Sequence, residues 1–307
     1  MLLNCEVTNY FRVIVFSLPK KRHTFYIDYL CRLKKLIRMY SRTELMIGRE
    51  AIQKLRDSHV LVVGLGGVGA YAAEMLARAG VGKLTIVDGD KLNETNKNRQ
   101  LIALDSSLNR LKTEVMGERL RDINPDMEVV EIAEFIRDEY MVEVLKRESY
   151  DYVIDAIDTL SPKLFLIIHS LNLGLRIISS MGSGGRLDPT QIKVADVSQS
   201  YNCSLASAIR KKLHKFGIYE GFPGVFSPEK VSKSVVIREE GQNKKSNVGT
   251  VSYMPPIFGS IAASVVIREL IGVESYEKQK DRRYYANKKE RVVSVEEYLN
   301  QTNRNNE

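Results

Sequence analysis

Residues 59–100 read HVLVVGLGGVGAYAAEMLARAGVGKLTIVDGDKLNETNKNRQ, and this stretch decides the fold. Val60 to Val63 is a short β-branched run of the kind that forms a buried parallel strand. It ends in Gly64-Leu65-Gly66-Gly67-Val68-Gly69, after which an Ala-rich helical pattern runs to Gly80, a residue able to terminate it. A second strand, Lys83 to Val87, delivers Asp88 at its carboxyl end. Gly64 permits the tight turn, Gly66 lets the backbone approach a phosphate, and Gly69 allows close helix–strand contact. The helix start then offers free N–H groups and the positive end of a dipole to an anion. Asp88 lies 24 positions after Gly64, close to the offset expected of a carboxylate on ribose hydroxyls. Glycines alone would be weak evidence. Strand, turn, helix, strand and acid in this order make an adenosine nucleotide the expected ligand.

Working outward, strands and helices keep alternating. Tyr40 to Asp57 reads as a helix or helix pair, with Ser41 as N-cap and Gly48 as a break. Beyond the organising unit comes a polar, Asn-rich loop, and Asp105-Ser106 is expected to cap a helix that stops near Asn124-Pro125. Strands follow at Glu128 to Ile132, Tyr152 to Ile154 and Arg176 to Ser179, separated by helices over Asp138 to Arg147 and from Pro162 through Leu171. This alternation predicts an α/β fold, a Rossmann-like doubly wound and mostly parallel sheet, with ligands at the carboxyl edge of the strands. The C-terminal half is smaller and less regular. It offers strands at Ile192 to Val197 and Val235 to Ile237, a helix from Ser204 to Phe216, turn residues over Gly221 to Lys233, and a polar loop over Glu239 to Asn247. Ile257 to Leu270 is apolar and rich in small residues, too short for a comfortable membrane span, and suits a core or dimer helix.

The chain has 307 residues and a formal charge of +8. Residues 1–38 hold eight Lys or Arg against two acids, so the remainder carries only +2 and overall charge says little about nucleic acid. That segment shows no sustained period, and Met39 stands just before the first organised helix. Residues 1–38 are therefore expected to be a dispensable or non-native extension with translation starting at Met39; a basic RNA-binding arm or a surface-binding amphipathic stretch are the competing readings. The expected division is 1–38 extension, 39–273 nucleotide-binding domain, 274–307 charged tail. Cys5, Cys31 and Cys203 form no CxxC pair, which excludes a zinc framework and points to a reducing, cytoplasmic setting.

Chemistry is expected at Asn96-Lys97-Asn98-Arg99-Gln100 and at Lys112, on the same sheet edge as the glycine loop. A hydride-transfer enzyme needs no cation cluster there, whereas splitting a triphosphate needs Arg and Lys to offset developing charge. Asp158, just past the fourth strand, is a natural magnesium carboxylate. Taken singly, Arg99 and Lys112 read as solvated charge and Asp158 as a helix cap; their joint placement favours the functional reading.

Gly64-x-Gly66-Gly67-x-Gly69, Asp88, Asn96-x-x-Arg99-Gln100, Lys112 and Asp155-x-x-Asp158 together resemble the ubiquitin-activating-enzyme-like adenylating superfamily (ThiF/MoeB/HesA). Within it the similarity is to the tRNA threonylcarbamoyladenosine dehydratases, extending through Arg42-Thr43-Glu44-Leu45, Pro162-Lys163, Gly184-Gly185 and Asp188-Pro189-Thr190-Gln191, over roughly Tyr40 to Gly272. The resemblance implies ATP and Mg2+ as cofactors. It implies that Gly64, Gly66, Gly67, Gly69 and Asp88 hold adenosine, that Asn96, Arg99, Gln100 and Lys112 engage the phosphates, and that Asp158 binds magnesium. It implies that Arg42 enters the partner's site in a homodimer. The implied reaction is carboxylate attack on the α-phosphate, then ring closure with loss of AMP. Two CxxC pairs found in many sulfur-carrier activators are missing, and Cys203, with no nearby His, reads as an ordinary thiol. Arg210, Lys211, Lys212 and Lys215, with Lys244 and Lys245, could follow a tRNA backbone or form a solvated face. Adenylation of a sulfur carrier, a nicotinamide-dependent oxidoreductase and an RNA-binding scaffold are the alternatives; a cysteine desulfurase system is a partner implied for some relatives.

Overall fold

The computed structural model describes residues 39–238, 246–276 and Val295; the expected extension at 1–38, most of the tail, and residues 239–245 of the expected polar loop lie outside these. The described residues divide between Ile52 and Gln53 into two compact units. The first contains helix α1 (Ser41–Ile47), ended by Gly48 at φ +82°, a left-handed conformation that costs glycine little. Tyr40, rather than the expected Ser41, is its N-cap residue. Helix α2 (Arg49–Arg56) leads into the second unit.

The second unit is built on a seven-stranded sheet ordered β3-β2-β1-β4-β5-β7-β6. Its strands are β1 (His59–Val63), β2 (Lys83–Val87), β3 (Glu128–Ile132), β4 (Tyr152–Asp155), β5 (Ile177–Ser180), β6 (Lys193–Asp196) and β7 (Pro223–Phe226). All neighbours are parallel except β6 and β7. Helices α3 (Gly69–Ala79), α4 (Lys112–Ile123), α5 (Asp138–Arg147), α6 (Leu160–Asn172), α7 (Ser204–Leu213) and α8 (Met254–Leu270) complete it. Strand β1 pairs with β2 on one side and β4 on the other, so the chain's winding reverses between β1 and β4, where open α/β sheets leave a crevice. All five residues of β1 are buried, as its unbroken apolar run requires.

Three expectations need correction. Asp105-Ser106 does not cap α4: residues 105–107 form a separate 3-10 turn, and the helix begins only at Lys112. The cause is a short bridge in which Leu92 N donates to Arg110 O (2.9 Å) and Lys112 N to Asp90 O (3.1 Å), holding residues 109–112 against the loop after β2. Strand β7 lies inside the stretch read as turns. Its Pro-Gly start looks like a turn, but Pro223 is the first strand residue, where a missing N–H is tolerated, and all four residues are buried. A two-stranded hairpin of β8 (Val236–Arg238) and β9 (Ser246–Val248) was only half expected.

Helix α8 is a core helix. It opens with Pro255 and Pro256 in its first turn, where their missing N–H groups cost nothing, and it packs across α3. A side chain on Gly259 would collide with the Val68 carbonyl at the start of α3, so glycine sets how closely the two helices cross. Among the described residues, no helix is long and apolar enough to cross a membrane.

Candidate functional site

The glycine turn sits at the switch point. Gly64 is at φ +92°, and a Cβ there would lie 2.8 Å from the Ala156 carbonyl oxygen, so the ends of β1 and β4 meet with no room between them. A Cβ on Gly69 would strike the Gly64 carbonyl oxygen, which is how α3 starts directly against the turn. Gly66 differs: its only neighbour would be Gln100 Nε2 at 3.8 Å, which leaves a backbone facing open space beneath an amide.

Asp88 closes one side of this turn. Its carboxylate accepts from Leu65 N (2.6 Å) and Asp90 N (2.8 Å), tying β2's end to the glycine loop. Lys112 Nζ lies 3.5 Å from Asp88 and donates to Asp90 (2.7 Å), although Lys112 is only 5% exposed. Burial pushes the Asp88 carboxyl above its ordinary range, against the opposing pull of the Lys112 ammonium and the two backbone N–H groups. The late start of α4 is what brings Lys112 here.

The Asn-rich loop forms the opposite wall. Asn96 is buried and its Oδ1 accepts from Asn93 N (3.2 Å), so it shapes the loop from within. Arg99 donates to Thr95 O (3.0 Å) and Asn98 Oδ1 (2.7 Å), and its stem packs so near Gly67 that a Cβ there would be 3.3 Å from Arg99 Cγ. Gln100 is buried, and among the described residues its Oε1 has no hydrogen-bond partner. A buried, unpaired amide beside an open glycine backbone suits a ligand that supplies the missing bond.

At the end of β4 the acids separate into two roles. Asp155 is fully buried and pairs with the equally buried Lys163 at 2.8 Å. It also accepts from Ser179 Oγ (2.6 Å) and Ile157 N (3.1 Å), while Lys163 donates to Ile157 O (3.0 Å). This network grips both sides of the Ile157 peptide and presents Asp158 as an exposed carboxylate on the same edge. Asp155 and Pro162-Lys163 both belong to the motifs named in the sequence, but their pairing as a buried anchor was not foreseen, although a lysine in the first turn of an apolar helix was the available signal.

Segment 248–255 was also missed. Asn98 Nδ2 donates to Thr250 O (3.1 Å), Gly185 N to Gly249 O (2.8 Å) and Tyr253 OH to Leu187 O (2.8 Å), and Pro255 lies against Gly67. Residues far apart in sequence therefore form one wall from the glycine turn to the loop after β5. Elsewhere, Arg42 is exposed on α1 in the first unit. On α7 Arg210 turns inward, donating to Ser200 O (2.6 Å), while Lys211 and Lys215 are exposed and Lys212 is half-buried. Cys203 is buried. No cluster of three or more His, Cys, Asp or Glu suited to a metal occurs among the described residues.

Fold and edge together define a Rossmann-like α/β protein with a glycine turn and a carboxylate at the switch point of its sheet. Comparison with known proteins makes the assignment narrower. The ThiF family profile matches residues 40–306, and the chain belongs to the ThiF family. It is 36% identical over 258 residues to the tRNA threonylcarbamoyladenosine dehydratase of Bacillus subtilis, covering 80% of this chain and 100% of that protein. It is similar to the crystal structure of E. coli tRNA N6-threonylcarbamoyladenosine dehydratase in complex with ATP, with 34% identity and a TM-score of 0.70 over 76% of this chain and 94% of that one. The E. coli sulfur carrier protein ThiS adenylyltransferase is 35% identical over 152 residues, which is 48% of this chain.

Proposed function

We propose that this protein is an ATP-dependent dehydratase that cyclises N6-threonylcarbamoyladenosine beside the anticodon of tRNA. The observation that carries this reading is the edge formed by the Gly64–Gly69 turn, Asp88 with Lys112, and Gln100 with Arg99, in a chain whose similarity to dehydratases runs through both halves. Similarity to the sulfur-carrier adenylyltransferase covers less than half of it.

Asp88 accepts the ribose hydroxyls, and the N–H groups at the start of α3 face the phosphates. Gln100, Asn96, Arg99 and Lys112 position the triphosphate, the two cations offsetting charge as the bond to the leaving pyrophosphate breaks. The threonyl carboxylate attacks the α-phosphate, giving an acyl-adenylate and pyrophosphate. The threonylcarbamoyl group then attacks the activated carbonyl of the same molecule, AMP leaves with the former carboxylate oxygen, and a ring closes with net loss of water. Intramolecular attack gains from proximity, and no enzyme nucleophile is required. Magnesium fits Asp158, since this ion keeps most of its waters and needs one or two carboxylates plus phosphate oxygens. Asp155 is not its ligand, being neutralised by Lys163. The ion would supply charge compensation at the phosphates.

Arg42 serves the partner's site in a homodimer, and Lys211, Lys212 and Lys215 follow the tRNA backbone in the cytoplasm. Burial of Cys203 argues against a sulfur-relay role with a desulfurase partner. The test is incubation with ATP, magnesium and threonylcarbamoyladenosine-bearing tRNA, followed by nucleoside mass spectrometry. Ring closure predicts a nucleoside lighter by about 18 Da, formed with AMP and pyrophosphate. Adenylation of a sulfur-carrier C-terminus with no such nucleoside would replace the substrate assignment.

A further inference from the structure

The loop after β5 reads Met181-Gly182-Ser183-Gly184-Gly185-Arg186, and it lies at the carboxyl edge next to the end of β4. Arg186 is 3% exposed, yet among the described residues it meets no carboxylate within ion-pair distance. Its guanidinium donates only to main-chain carbonyls: Nε to Ser227 O (3.1 Å), and Nη1 to Gly184 O (3.1 Å) and to Gly182 O. A buried cation without a counter-ion is costly, and it favours negative charge nearby.

The peptide geometry says where that charge would sit. In a trans peptide the carbonyl and the following N–H point in opposite directions. Fixing the Gly182 carbonyl on Arg186 therefore turns the Ser183 N–H away from the guanidinium, and the cation polarises that amide further. Among the described residues, the N–H groups of Gly182, Ser183 and Gly184 donate to no acceptor. Gly185 N, by contrast, is spent on Gly249 O. Successive N–H groups left unspent on a glycine-rich turn suit an anion. The strand order gives the direction of approach. Asp88 follows β2, the glycine turn follows β1, Asp158 comes after β4 and this loop after β5, so an acyl substrate entering over β5 meets the phosphates from the side away from the ribose.

We propose that the main-chain N–H groups of Gly182, Ser183 and Gly184 cradle the carboxylate of the acyl substrate, with Arg186 as the positioning residue that sets and polarises them. The assignment rests on the dehydratase reading, which makes that carboxylate the threonyl one. The cradle holds the carboxylate against the α-phosphate and rejects adenosines lacking it.

The test compares binding of two tRNAs, one carrying threonylcarbamoyladenosine and one unmodified, to the full chain and to Arg186→Met, Arg186→Lys and Ser183→Pro. Charge-assisted hydrogen bonds predict that the wild-type protein prefers the modified tRNA by about tenfold or more. Arg186→Met should lose that preference to within about twofold, Arg186→Lys should keep part of it, and ATP affinity should stay unchanged in both. Ser183→Pro removes the polarised N–H while keeping the buried arginine side chain and should lose the preference too, which keeps the test decisive if Arg186→Met fails to fold. A folded Arg186→Met or Ser183→Pro protein that keeps the preference overturns the cradle while leaving the dehydratase reading intact. Loss of ATP affinity in step with the preference also overturns it, since that is general damage. A wild-type protein that forms no cyclised nucleoside removes the dehydratase reading, and the threonyl carboxylate with it.

Discussion

Replacing Lys163 with Met tests whether the buried pair beneath the Ile157 peptide is structural glue or a functional anchor. Lys163 and Asp155 are both 0% exposed and 2.8 Å apart. At an effective dielectric of ~20 their attraction is worth about 6 kcal/mol, most of it offset by desolvating two charges. Removing only the lysine leaves the desolvation of Asp155 uncompensated, so a loss of about 3–5 kcal/mol is expected. For a chain of this size that is a fall in Tm of about 6–20 °C. Burial already pushes the Asp155 carboxyl above its ordinary 3.8, and Lys163 opposes that push. Without Lys163 the folded-state pKa rises further. A raised carboxyl pKa means stability is lost as pH climbs through it, so the deficit of the variant should shrink on acidification. The double variant Asp155→Asn with Lys163→Met buries no charge and should recover much of the loss, a coupling of about 2 kcal/mol or more. Urea denaturation at several pH values, paired with ATP titration, reads all of this. The reasoning fails if the single variant stays within about 1 kcal/mol of wild type, or if the double variant is no more stable than the single one.

Other expectations follow from the same edge. Gly69→Ala places a methyl on the Gly64 carbonyl and should cost about 1–3 kcal/mol together with ATP binding, whereas Gly66→Ala should leave Tm unchanged and weaken ATP alone; calorimetry on both separates the two roles. Arg99→Ala should abolish pyrophosphate release with the fold intact by circular dichroism, and unchanged turnover would remove Arg99 from the mechanism. Because the Asp88 carboxyl titrates above 3.8, ATP affinity should fall as pH drops through that raised window, and Asp88→Asn should bind weakly with no such dependence. Co-expressed Arg42→Ala and Arg99→Ala chains, each inactive alone, should regain about a quarter of wild-type activity if Arg42 works across a two-fold dimer; mixed dimers as dead as their parents would place Arg42 elsewhere.

What the sequence revealed was what local rules control. Strand β3 and helix α5 fall at the expected residues because both are bounded by turn or charge signals, Asn124-Pro125 before the strand and Asp138-Glu139 at the start of the helix. The glycine turn and Asp88 were legible since backbone conformation and a carboxylate at a strand end leave few alternatives. Strand β7 was hidden because its burial is imposed by β5 and β6 on either side, and a four-residue Pro-Gly-Val-Phe run carries no period of its own. The start of α4 was misplaced for a related reason: the bridge between Lys91 and Leu111 competes with capping at Asp105, and no local pattern announces it.

The displaced helix start and the far-end wall belong to one piece of architecture. A dinucleotide-binding βαβ unit needs only the turn, α3 and the acid after β2. Here the bridge at Lys91 withholds helix until Lys112, which delivers a buried ammonium to Asp88 and Asp90. Helix α8 crosses α3 closely enough that Gly259 must be glycine, and its first turn sets Pro255 on Gly67, pressing against the residue that Arg99 also touches. Both features shape the surroundings of the glycine turn, one with a buried ammonium held by Asp88 and Asp90 and the other with Pro255. Hydride transfer requires no such ammonium beside the turn, whereas the triphosphate chemistry proposed above uses cations there. The same βαβ start is thus elaborated by Lys112 and Pro255, which lie 45 and 188 positions after Gly67.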